Sequence, residues 1–104
     1  MKTMNKLTRD GKVAVLFSPG YGAGWYSWHQ IEELLYDPSI VQWLESEEYD
    51  KISNYLTLKY PGEYFGVLED LCIKWIEQGT EFQIHEYDGA ESIEYREKQE
   101  WLRA

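Results

Sequence analysis

Residues 18–28 form the segment of this chain best suited to bind a ligand. They read SPGYGAGWYSW, with glycines among aromatic and small residues, between an apolar run and a helical pattern. Glycine allows positive φ and a close approach of a ligand, and a loop in this position can present backbone N–H groups to an anion. Aromatic rings add stacking surfaces. The predicted ligand-binding residues are Ser18, Gly20, Tyr21, Gly22, Gly24, Trp25, Tyr26 and Trp28.

The loop matches no standard phosphate-binding motif. Trp25 stands where the dinucleotide fingerprint has its third glycine, and the Gly-Lys-Ser/Thr of a Walker A loop is missing. A phosphate would also call for cations, and residues 13–50 contain no Lys or Arg. We therefore expect cationic support from Lys12, Lys74 or Arg96, brought in by the fold or across an oligomer interface. The alternative is a structural loop, whose glycines allow tight packing while its aromatics fix it to the core.

Cys72 and His85 are the residues that could carry nucleophilic chemistry. Strand alternation places them opposite each other in a predicted hairpin, with Glu94 and Gln83 nearby, and a base within reach of a thiol can activate it. A cysteine on a strand is more commonly a small packing residue, however, so no enzymatic activity is expected. The two histidines, at positions 29 and 85, and the single cysteine show no metal-ligand spacing, and no metal or cofactor is predicted.

The first half of the chain predicts one strand followed by short helices. Lys12–Phe17 is an almost continuous apolar run, typical of a strand buried on both faces. Apolar residues at helical spacing in residues 31–35 indicate a first helix. Asp37 and Pro38 then suit the N-cap and first position of a second. A third helix is predicted over residues 49–60.

The second half predicts a three-stranded meander with turns at residues 78–79 and 88–89. The first turn places Trp75 opposite Phe82 and Ile73 opposite Ile84, and the second places Ile84 opposite Ile93. The predicted apolar face carries Ile73, Trp75, Phe82, Ile84, Ile93 and Tyr95. The expected fold is a single small α+β domain over residues 12–104, after a mobile segment of residues 1–11. Its mostly antiparallel sheet of about four strands carries two or three short helices on one face.

Composition restricts the classes of function. The 104 residues carry a net charge of −9, and no cluster of Lys or Arg supports direct nucleic-acid binding. No apolar run is long enough to span a membrane, and the lone Cys72 fits a reducing compartment, so a soluble cytoplasmic protein is expected. The five Trp, nine Tyr and three Phe exceed what a small core can hide and favour a recognition surface. An acidic surface can keep a protein soluble, repel nucleic acid or mimic it towards a basic partner.

Two segments, VAVLFSPGYGAGWYSW and FQIHEYDGAESI, resemble a group of short, mostly uncharacterised bacteriophage proteins. The likeness extends over residues 12–95, and its most specific part is the SPG(Y/F)GAGW-like segment. The resemblance implies a small phage accessory protein that acts in the host cytoplasm. Many such proteins counter bacterial defence by sequestering a nucleotide signal or by blocking an effector.

Two hypotheses follow. In the first, the chain sequesters a small nucleotide-like immune signal through the loop of residues 18–28, in a pocket that a homo-oligomer completes. In the alternative, it is an acidic inhibitor that binds a host defence effector and mimics nucleic acid.

Overall fold

The computed structural model describes residues 5–20, 24–27, 29–63, 65–88 and 90–95. Five strands form two antiparallel sheets, one with the order β1-β2-β3 and the other pairing β4 with β5. The elements are β1 Thr8–Arg9, β2 Lys12–Phe17, α1 Pro38–Glu45, α2 Tyr49–Lys59, β3 Cys72–Glu77, β4 Phe82–Tyr87 and β5 Ala90–Tyr95, with 3-10 turns at Glu32–Leu35 and Leu68–Asp70. The predicted α+β class is confirmed. None of the described helices has the length and apolar character needed to cross a membrane.

β2 is the central strand, and it is buried on both faces. Val13 and Val15 point to one side and Ala14 and Leu16 to the other, and each is at most 8% exposed. Two-sided burial explains why its sequence is a continuous apolar run rather than an alternating one.

The two faces of the β1-β2-β3 sheet support two separate cores. The helical core contains Ala14, Leu16, Trp25, Leu34, Ile40, Val41, Ile52, Leu56 and Leu71. The hairpin core contains Val13, Val15, Leu35, Tyr36 and Ile76, against which Phe82, Ile84 and Ile93 pack. The sheet therefore lies between the helices and the β4–β5 hairpin.

The predicted hairpin between β3 and β4 is wrong. β3 pairs with β2 along its whole length, so that Val13 lies opposite Ile76 and Phe17 opposite Cys72. The Gln78 N–H donates to the Gly11 carbonyl over 2.9 Å and fixes the end of β3 beside the turn between β1 and β2.

This pairing divides the predicted apolar face between the two cores. Ile73 and Trp75 pack into the helical core, whereas Phe82, Ile84 and Ile93 cover the other face of the sheet. The physical reason is that β2 is apolar on both sides. Beside β2, β3 can bury Ile76 on one face of the sheet and Ile73 on the other. β4 is half-exposed, so pairing with β4 would not bury β3 on both faces.

The β4–β5 hairpin has the predicted register. Ile84 faces Ile93 and Phe82 faces Tyr95. Asp88 has a φ of 50°, as a type I′ turn requires, while Gly89 lies outside the described residues. Within residues 1–11, the segment predicted to be mobile, Thr8–Arg9 pairs with β2.

Asp37 joins the two helices through one carboxylate. Its Oδ1 accepts hydrogen bonds from Ser39 N at 3.0 Å and Ile40 N at 3.4 Å, which confirms the predicted N-cap of α1. Its Oδ2 accepts the hydroxyl of Tyr55, on α2, at 2.6 Å. The helix predicted over residues 31–35 is a single 3-10 turn, whereas the other two helices lie where they were predicted.

Candidate functional site

The loop after β2 closes around a carboxylate that belongs to the chain itself. Glu91, near the start of β5, is only 2% exposed. Its Oε1 accepts the Ser18 N–H at 2.9 Å, and its Oε2 accepts the N–H groups of Tyr26 at 2.7 Å and Ser27 at 2.8 Å. The Ser27 hydroxyl donates to the same Oε2 at 2.9 Å. We call these donors of Ser18, Tyr26 and Ser27 the carboxylate cradle.

The sequence interpretation missed Glu91, although it expected the loop to present N–H groups to an anion. The alternation of side chains along β5 could have identified it, because it places Glu91 on the same face as Ile93 and Tyr95. An acidic residue on the apolar face of a strand needs buried donors. The Glu91 N–H also donates to the Ser18 carbonyl over 2.8 Å, so the start of β5 is joined to the end of β2.

Trp25 lies in the helical core rather than on a surface. It is 0% exposed, its indole Nε1 donates to the Leu34 carbonyl at 2.8 Å, and its ring centroid is 5.7 Å from that of Phe65. These contacts leave no free ring face for a ligand. Tyr26 is half-buried and packs against both cores.

The remaining predicted loop residues are placed as follows. Gly24 is buried with a φ of 48°, and Gly20 lies against the side chain of Asp70. Tyr21, Gly22, Trp28 and Arg96 lie outside the described residues.

Gly20 is required for a close approach to Asp70, and a substitution tests this. A Cβ on Gly20 would lie 2.7 Å from Asp70 Oδ2 and 2.9 Å from its Cγ. The exposed Asp70 side chain must turn away to make room, so Gly20→Ala is expected to cost about 0.5–1.5 kcal/mol of unfolding free energy. Asp70 is exposed, and Asp70→Ala alone should change stability by less than about 0.5 kcal/mol. Chemical denaturation of both single variants and the double variant should show that Asp70→Ala relieves most of the loss. Additive effects would contradict the contact.

Two polar atoms on or beside the loop are buried without a hydrogen-bond partner, Ser18 Oγ and His29 Nε2. His29 Nδ1 accepts the Ile31 N–H at 3.1 Å, so the proton of the neutral ring is on Nε2. Burial lowers the pKa of His29, opposed in part by the Glu63 and Glu91 carboxylates and by the backbone of Trp25.

The predicted lysines do not converge on the cradle. Lys12 is the first residue of β2 and faces Glu77. About 20 Å of extended chain separates Lys12 from Ser18, which follows the other end of the strand. Lys74 is exposed, with its Nζ 5.7 Å from the ring centroid of Tyr95. The cradle thus holds its carboxylate with neutral donors.

Cys72 and His85 lie in different sheets, so their predicted pairing is wrong. Cys72 faces Phe17, and its Sγ lies 3.6 Å from the Asp70 carbonyl. The structure confirms that Glu94 and Gln83 lie beside His85, whose Nε2 is 3.1 Å from Glu94 Oε2 and 3.2 Å from Gln83 Oε1.

Residues 77–95, which we call the acidic hairpin, contain six acidic residues and no Lys or Arg. Tyr87 at its tip is 74% exposed, and Tyr95 is 42% exposed. Of the six acids, Glu91 is buried on the inner side, whereas Asp88 and Glu94 are exposed. The segment therefore joins an inward carboxylate to an outward surface that is acidic and aromatic.

Within the described residues, no group of three or more His, Cys, Asp and Glu side chains could hold a metal ion. Comparisons of this chain with models of protein families, with curated proteins and with solved structures gave no significant match.

Proposed function

We propose that this chain is a protein-interaction module that binds a basic surface of a partner protein through the acidic hairpin. The observation that carries the proposal is the exposed Tyr87 beside Asp88, at the tip of a segment without Lys or Arg. Exposed tyrosines are common binding hot spots, and a surface of one charge sign steers a partner of the opposite sign.

The sequence charge supports this surface. Residues 77–95 contain six acidic residues, and their one basic side chain is His85, which lies beside Glu94. A basic partner would be attracted to a segment of this charge.

The cradle gives the hairpin a fixed position. Glu91 is bonded to three residues of the loop, and Ile84 and Ile93 pack on the hairpin core. A surface already held in its bound geometry loses less conformational entropy on association. The proposed partner is a protein whose basic groove binds nucleic acid, and the resemblance to phage proteins suggests a host defence effector.

A matched pair of variants tests the proposal. Tyr87→Ala/Asp88→Asn removes the aromatic ring and one charge at the tip, while Leu58→Ala/Asp50→Asn makes equivalent changes on α2, where Leu58 is 85% exposed. Each protein is immobilised and exposed to bacterial lysate, the retained proteins are quantified by mass spectrometry, and the dissociation constant of each recovered partner is measured after purification.

The tip variant should weaken binding of the recovered basic partner about tenfold or more, and the α2 variant should leave it unchanged. Rising salt should weaken the wild-type complex. Equal retention by the wild type and the tip variant would refute the proposal, and so would a partner that the α2 variant loses instead.

The orphan atoms favour a second candidate function, binding of a nucleotide-like ligand at the loop. Ser18 Oγ and His29 Nε2 are buried polar atoms whose hydrogen bonds a ligand could complete. The test is thermal unfolding with a panel of cyclic and ADP-ribose-like nucleotides, in which a tight ligand raises the melting temperature. His29→Ala should abolish that rise, and no rise with any of the nucleotides would count against this function.

A further inference from the structure

The carboxylate cradle and its occupant come from remote parts of the sequence. The donors Ser18, Tyr26 and Ser27 lie 64 to 73 residues before Glu91. Three N–H groups and one hydroxyl converge on two oxygen atoms, which is the arrangement of a ligand site rather than of a local turn. Glu91 therefore occupies the cradle as a tethered ligand would.

The donor set selects the chemical class of that ligand. All four donors are neutral, residues 13–50 contain no Lys or Arg, and Lys12 lies at the far end of β2. A singly charged planar carboxylate needs no more than these donors, whereas a phosphate dianion would be buried without a cation. Ser18 Oγ, which is buried and has no partner, adds an unused polar group on a cradle residue.

We propose that the cradle is a carboxylate-binding site in its own right, closed by Glu91, and that free acetate binds there once the Glu91 side chain is shortened. Glu91→Ala removes one methylene and the carboxylate, a group the size of acetate. The inference goes beyond the proposed interaction, which uses the outer side of the hairpin. In the wild type, the tether gives the Glu91 carboxylate a high effective concentration, so free acetate does not displace it.

The experiment compares four full-length proteins, the wild type, Glu91→Ala, Glu91→Gln and Glu94→Ala. Thermal unfolding is followed in sodium acetate and in sodium chloride of equal ionic strength, at neutral pH. Glu91→Gln removes the charge but fills the space, so it reports loss of the carboxylate without an open site. Glu94→Ala removes the same side chain from an exposed position of the same strand.

The melting temperature of Glu91→Ala should rise with the logarithm of acetate concentration, as expected for a ligand that binds the folded state. The other three proteins should respond to acetate and chloride alike. Amide NMR signals of Tyr26 and Ser27 should move on addition of acetate to Glu91→Ala only.

If Glu91→Ala is unfolded in chloride, acetate should restore its folded circular dichroism spectrum. The proposal is overturned if acetate and chloride act equally on Glu91→Ala, in melting or in refolding. It is also overturned if Glu91→Gln gains as much from acetate, since that would show a general salt effect. Neither result would bear on partner binding at the outer hairpin surface, which the Tyr87 variant tests separately.

Discussion

Replacement of Trp25 by alanine is expected to lower the free energy of unfolding by about 3–5 kcal/mol, the cost typical of deleting a buried aromatic side chain. The indole is 0% exposed and packs against Phe65. Its loss would also leave the Leu34 carbonyl without the Nε1–H donor. Because these contacts belong to the helical core, denaturant should unfold the variant earlier as a whole domain.

Trp43→Ala is the matched control for this prediction. Trp43 lies on α1, is only partly buried and meets Tyr55 at 5.4 Å between ring centroids. We expect a smaller shift of the denaturation midpoint for Trp43→Ala than for Trp25→Ala, because less surface is removed from the core. An unchanged midpoint for Trp25→Ala, together with a loss of nucleotide binding, would instead make Trp25 a ligand contact.

Glu91→Ala in chloride buffer is expected to cost about 2–4 kcal/mol, because three backbone N–H groups and the Ser27 hydroxyl lose their acceptor together. The Tyr26 and Ser27 sites are only partly buried, so water can replace some of these bonds. Chemical denaturation measures the loss, and hydrogen exchange should show faster exchange of the Ser18, Tyr26 and Ser27 amides.

Glu94→Ala should change stability by less than about 0.5 kcal/mol, since its carboxylate is exposed and its contact with His85 lies in water. Equal destabilisation by the two alanine variants would mean that the cradle contributes nothing specific. A loss confined to Glu91→Ala would show that the loop and the hairpin depend on one carboxylate.

Local patterns predicted most elements of this fold. β2, the N-cap at Asp37, α2 and the β4–β5 register all follow from periodicity, capping and turn residues within a few positions of each other. The partner of β3 did not follow. Alternation shows which residues of a strand share a face but not which strand lies beside it, and β3 bypasses its nearest neighbour in sequence to pair with β2.

For the candidate site too, the sequence predicted some features and not others. The glycine loop does present N–H groups to an anion, as its composition indicated. Two features depended on tertiary contacts that local sequence does not encode, the burial of Trp25 and the identity of the anion as Glu91. Both arise where the loop meets segments that follow it in the chain, the turn at Leu34 and the start of β5.

The long interval between β2 and β3 has a consequence for synthesis. Residues 18–71 separate the two strands of the ladder, and at about 5–20 residues per second their translation takes roughly 3–11 s. Throughout that time the apolar run of β2 lacks β3 along one edge, a state prone to association with other nascent chains. Lys12 and Pro19 flank the run, and a charge and a residue without an N–H at such positions disfavour an intermolecular sheet.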